Sequence, residues 1–207
     1  MPLDLAALVA PEHTALVLQE VQNGVVGSPS VLPALAESAA AVDLIAHCAQ
    51  LAHAARAVGV PVIHCTAETR DDGQGANRNA RLFMGVKNAP VKLSPGSDAV
   101  GVPAEIGVER ADLVLARYHG LGPMTGTQLD PILRNLGVTT IVGVGVSLNV
   151  GVTNLVFDGV NHGYQVVVPR DAVAGVPVEY GRAVLDNTLN VLATITTTAE
   201  IVQVWSE

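Results

Sequence analysis

A regular alternation of short β-branched apolar runs with longer helical stretches limits this chain to few architectures. The strand-like runs are Thr14–Gln19, Pro61–Cys65, Ala111–Ala116, Thr139–Val144 and Tyr164–Pro169, with Glu200–Val204 as an edge strand. Each is compact, apolar and bounded by polar or turn residues, as expected of strands buried on both faces. Between them the spacing predicts helices over Leu32–Val58 (closed by Gly59-Val60-Pro61), Thr127–Leu136 (stopped by Gly137), Asn149–Asn161 (ended by His162-Gly163) and Val178–Thr196. A strand, a helix and a further parallel strand connect as a right-handed crossover. Repeated along the chain, that unit predicts an α/β protein: a three-layer α/β/α, Rossmann-like fold with a six-stranded parallel sheet. Thr66–Gly107 breaks the rhythm. It is rich in Gly, Asn, Asp and Pro, and it is expected to be an irregular excursion with one short helix near Asn79–Met84. Loops of this length commonly carry function.

Composition narrows the partners. The 207 residues form one expected domain, 1–207, on a scale of roughly 100–200 residues per domain. Apolar residues make up 49% of the chain but aromatics only 3%, so the core must come from Val, Leu, Ile and Ala. The net charge of -8, with no Lys/Arg cluster, argues against nucleic acid, whose affinity comes largely from basic side chains on phosphates. Two cysteines, Cys48 and Cys65, cannot supply a disulfide framework and fit a reducing, cytoplasmic setting. The stretch Met1–Ala10 carries Asp4 and no basic residue, so no secretory leader is expected. No uncharged apolar run of about 18 residues stands apart from strand and helix breaks, so no membrane span is expected.

In a parallel open sheet a ligand binds at the carboxyl ends of the strands, near the point where strand order reverses. The residues there are Gln19-Glu20-Val21-Gln22-Asn23, Arg117-Tyr118-His119-Gly120, and Gly143-Val-Gly-Val-Ser147 leading into a helix near Asn149. Gly143-x-Gly145 does not complete a dinucleotide fingerprint, because position 148 is Leu. His64 and Cys65 diverge in a strand and give no metal-ligand spacing. Neither cofactor nor metal is expected.

Several of these segments resemble the isochorismatase-like (cysteine) hydrolase superfamily. Leu18–Asn23 is similar to its hydrophobic-Asp-x-Gln-Asn signature, Gly143–Thr153 to its Gly-Val-x-Thr-x-x-Cys-Val-x-x-Thr segment, and Gly163–Ala174 to its Gly-Tyr-x-Val-x-Val-x-x-Asp-Ala strand. Arg117, followed by Thr127-Gln-Leu-Asp130 and Leu133, stands where the family carries Lys and Thr-x-Leu…Leu. The resemblance spans roughly residues 13–205, in order. It implies a site in which the family's Asp, Lys and Cys become Glu20, Arg117 and Gly151. It also implies a non-proline cis peptide at the Gly-Val-x segment, here before Ser147, and a dimeric or tetrameric assembly. Family members that cleave a vinyl ether rather than an amide include some with Gly at the Cys position.

Each replacement has a chemical consequence. Glu20 keeps a carboxylate but adds a methylene. Arg117 keeps the charge but does not shuttle protons. Gly151 excludes thiolate attack. Amides at the start of the helix near Asn149 would still favour an anion. The expected catalytic set is therefore Glu20, Arg117 and Gly151, with Gln22, His119, Val146 and Ser147 at the substrate. Plainer roles exist for each: a Glu20–Arg117 ion pair, a loop histidine at 119, a small turn residue at 147. Cys65 is either an apolar filler or a displaced nucleophile.

Overall fold

The structure is a computed structural model and describes residues 4–207. Met1–Leu3, part of the stretch considered above for a leader, lie outside the described residues.

The chain enters through a single turn, α1 (Leu5–Leu8), capped by the Asp4 carboxylate, and passes into β1 (Thr14–Gln19). A turn α2 (Asn23–Val26) follows, then α3 (Pro33–Ala41), α4 (Leu44–Ala57) and β2 (Val62–Ala67). The irregular excursion holds α5 (Arg81–Asn88) and leads to β3 (Leu113–Arg117). Then come α6 (Leu129–Asn135), β4 (Thr140–Val146), a π-turn over Leu148–Val152 and α7 (Thr153–Asn161). The chain finishes with β5 (Gln165–Pro169), a short β6 (Val173–Ala174), α8 (Val178–Asn187), β7 (Thr194–Thr196) and α9 (Thr198–Val204).

All pairings are parallel, in the order β3-β2-β1-β4-β5-β7, and β6 adds to the far end of β4. The sheet grows outward in both directions from β1 and β4, so its switch point lies between them. Side-chain alternation assigns the two faces. Leu16 and Leu18 pack with Leu44, Leu51 and Ile201 on one side; Ala15, Val17 and Ile63 pack with Leu129, Leu133 and Leu155 on the other. Every residue of β1 and β4 is buried, as a sheet covered on both faces requires. The one tryptophan, Trp205, is buried and donates its indole N–H to the Val9 carbonyl at 2.8 Å, joining the two ends of the described chain.

The expected three-layer α/β fold is present, with three local corrections. The single helix expected over Leu32–Val58 is two, because Asp43 adopts φ 49°; aspartate tolerates this left-handed geometry better than most residues, and it interrupts the helical ladder. The helix expected over Val178–Thr196 ends at Asn187, and Thr194-Ile195-Thr196 forms β7 instead, consistent with β-branched side chains favouring a strand. The edge strand expected at Glu200–Val204 is the helix α9. Thr197 and Glu200 form a reciprocal capping box, a Thr-x-x-Glu signal that overrides the apolar alternation of Glu200–Val204.

Candidate active site

β1 and β4 run side by side to Gln19↔Gly145, and the chain leaves both strands sharply. A Cβ on Gly145 would lie 2.2 Å from the Gln19 carbonyl oxygen, so only glycine permits this approach. Glu20 follows with φ 52°, a left-handed geometry uncommon for glutamate. Its amide donates to the Cys65 carbonyl at 2.9 Å, which fixes the turn to the end of β2. After β4 the Val146–Ser147 peptide is cis, and the π-turn brings Gly151 back over β1.

Arg117 is the last residue of β3. Its register partner on β2 is the small Ala67, and the guanidinium reaches past it to Glu20. Nη2 donates to Glu20 Oε1, and Nε donates to the Gly122 carbonyl at 3.0 Å. Glu20 Oε1 also accepts from Gln19 Nε2 at 3.0 Å. The pair is largely withdrawn from water: the side chains of Arg117 and Glu20 are 7% and 17% exposed. Burial pushes the Glu20 carboxyl above the ordinary glutamate value, against the opposing pull of the Arg117 charge and the hydrogen bonds from Arg117 and Gln19. A carboxyl poised this way can hold a proton closer to neutrality.

Glu20, Arg117, Ser147 and Gly151 all border one cavity of about 620 Å³. His119, exposed on the loop after β3, borders it too. Gln22 and Val146 do not. Gln22 is fully buried and both ends of its amide are engaged by Ala67: Nε2 donates to the Ala67 carbonyl at 2.9 Å, and Oε1 accepts from the Ala67 amide at 2.8 Å. It clamps the end of β2. Val146, whose peptide to Ser147 is cis, is buried. The Val150 and Val152 amides, near the expected anion cradle, donate instead to the Ser147 carbonyl at 3.1 and 3.0 Å.

The opposite wall comes from the irregular excursion. α5 is amphipathic, and none of its residues is buried; Leu82, Phe83 and Val86 border the cavity, facing Val25, Leu35 and Leu93 from other segments. The rim is basic relative to the chain. Five of the eleven Lys and Arg residues border the cavity, against four of the nineteen acidic ones. Gly120 donates its amide to Asn77 Oδ1 at 2.8 Å, linking the excursion to the loop that carries His119.

Cys65 is buried, packs among Met124, Leu129 and Leu133, and does not border the cavity. Burial pushes its thiol up to about 12. That environment suits an apolar filler and opposes a displaced nucleophile. Sequence inspection passed over Gln19, although its polarity departs from the hydrophobic position of the signature. It also passed over the apolar wall, because α5 is short and set within a Gly-, Asn- and Pro-rich excursion.

Known proteins share this fold. The chain is 26% identical over 210 residues to the ureidoacrylate amidohydrolase RutB of Enterobacter sp. (strain 638), covering 94% of this chain and 90% of the relative. It resembles the structure of an isochorismatase family protein from Burkholderia thailandensis, with TM-score 0.75, 26% identity, and coverage of 95% of this chain and 97% of that one. It also resembles a cysteine hydrolase from Pseudomonas syringae pv. phaseolicola, with TM-score 0.79, 25% identity, and coverage of 96% and 95%. Residues 14–200 match the isochorismatase domain family, and the chain belongs to that family.

Proposed function

We propose that this protein is a hydrolase of the vinyl-ether type, acting on a small acidic or carbonyl metabolite without a cysteine nucleophile. The observation that carries this reading is the shared cavity: a buried carboxyl of raised proton affinity and a guanidinium border it, while position 151 offers no side chain. Glu20 would donate its proton to the terminal carbon of the enol ether. Water would then add to the resulting oxocarbenium carbon and return a proton to Glu20. The hemiketal would collapse to a ketone and an alcohol. Arg117 engages Glu20 through Nη2 and Gly122 through Nε; Nη1 is the group left for a substrate carboxylate. The basic rim would favour an anionic ligand, and the apolar wall would cover a nonpolar body.

The curated relative is named for cleaving an amide, ureidoacrylate. Among the described residues no thiol borders the cavity, which weighs against a cysteine route to amide cleavage here. The proposed state is a homo-oligomer, dimer or tetramer, as the family resemblance implies, in the reducing cytoplasm that two free cysteines fit.

The test is incubation of purified protein with isochorismate while pyruvate release is followed. The expected result is release above buffer that is lost in Glu20→Gln. No release above buffer removes the reading. The Glu20–Arg117 ion pair favours a second reading, in which the two groups satisfy each other and the protein is a catalytically silent ligand-binding member. Saturable binding of isochorismate without turnover would select that one.

A further inference from the structure

Position 151 lacks a side chain, yet the space beside it is full. A Cβ on Gly151 would lie 2.8 Å from Gln19 Nε2, 3.3 Å from Gln19 Cγ and 3.0 Å from the Val146 carbonyl oxygen. The carboxamide of Gln19 therefore takes the volume in which any side chain at 151 would begin. Gln19 is fully buried, and among the described residues its Oε1 has no hydrogen-bond partner. Burying an amide whose oxygen has no partner is unfavourable, and an apolar side chain of similar length would fill the space without that cost. Among the described residues the one bond that the amide makes is Nε2 to Glu20 Oε1, at 3.0 Å.

We propose that Gln19 is a positioning residue for Glu20: wedged beside Gly151, it holds the carboxyl between its own amide and the Arg117 guanidinium. The inference deepens the reading of Glu20 as the proton donor and rests on that reading for its purpose. The groups bonded to the carboxyl are Arg117 from β3 and Gln19 from β1; the buried Cys65 thiol of β2 lies near enough to feel its charge, and Ser147 and Gly151 border the same cavity. An N–H donated to a carboxylate favours the ionised form. Removing that donor must therefore lift the proton affinity of Glu20 further.

The experiment titrates Glu20 directly and needs no substrate, so it stands or falls independently of turnover. Protein carrying 13C-carboxyl glutamate is followed by NMR against pH, and the Glu20 signal is assigned by its loss in Glu20→Gln. In Gln19→Met, which keeps length and removes the donor, the Glu20 midpoint is expected to rise by about one pH unit, a tenfold change in proton affinity. Gly151→Ala, which leaves residue 19 intact but crowds its amide, is expected to shift the midpoint the same way. The Gln19→Met/Gly151→Ala double variant should move no further than the larger single shift. A purely space-filling glutamine would change thermal stability in these variants and leave the midpoint in place. A Glu20 midpoint unchanged in both folded single variants overturns the proposal, and so does a fully additive double variant.

Discussion

Replacing Arg117 by methionine removes the charge that faces Glu20 while keeping the long apolar stem over Ala67. The buried carboxyl then has two ways to respond. Remaining ionised without its partner costs about 3–5 kcal/mol. Taking up a proton costs about 1.4 kcal/mol for each pH unit above an unfolded glutamate value of about 4.3. At pH 5 that is about 1 kcal/mol, and protonation wins clearly. At pH 7 it is about 3.7 kcal/mol, and the two routes become comparable. The sign follows from proton counting. Folded Glu20 has a raised pKa, so between the unfolded and folded values the native state holds the extra proton. Stability is fully present below about pH 4.3 and falls as pH rises towards the folded value. Losing Arg117 moves that folded value higher and widens the window of decline.

The expected outcome is a loss of up to about 2.7 kcal/mol between pH 5 and pH 7 in Arg117→Met, with Glu20→Gln/Arg117→Met as the flat reference. For a chain of this size that corresponds to a fall in Tm of about 5–10 °C relative to the reference. Thermal melts followed by circular dichroism across that range provide the measurement. Parallel curves for the two variants would refute the buried, proton-accepting environment assigned to Glu20.

Gly151→Cys is expected to lower stability by about 1–3 kcal/mol through overpacking against Gln19 and the Val146 carbonyl; adding Gln19→Val should recover part of the loss, as read from denaturant midpoints. Asp112→Ala should cost about 3–5 kcal/mol, because the Asp112 carboxylate accepts from Arg56 Nη2 at 2.6 Å and lies 3.2 Å from His64 Nε2; urea unfolding measures it. Glu200→Ala removes the reciprocal cap on α9 and should lower stability by about 1 kcal/mol, a Tm change of a few degrees readable by calorimetry.

The strands from β1 to β5 are legible because each is a short apolar run closed by polar or turn residues; β1 and β4 are buried throughout, whereas the edge strand β3 is partly exposed. The C-terminal third was harder. Thr194–Thr196 follows a helical run without a strong break, and Glu200–Val204 alternates like a strand, so the local capping signal at Thr197 decided the outcome. At the site, Glu20, Arg117 and Gly151 could be located because each stands at a strand end or in a segment with a family signature. Gln22 carries part of the same signature, yet its amide is committed to the Ala67 backbone, a pairing across 45 positions that no local pattern reveals. The volume shared by Gln19 and Gly151 is likewise a contact between β1 and the turn after β4. It depends on how closely the two strands approach.

The indole that bridges Val9 and the final helix gives the protein a built-in optical probe. Trp205 is the only tryptophan in the chain and does not border the cavity. Its emission therefore reports whether the segment at Val9 and the final helix are held together, with little direct sensitivity to a small molecule entering the pocket. A fluorescence melt can follow unfolding in the presence of ligand, and a ligand-induced shift in its midpoint would measure binding through stability.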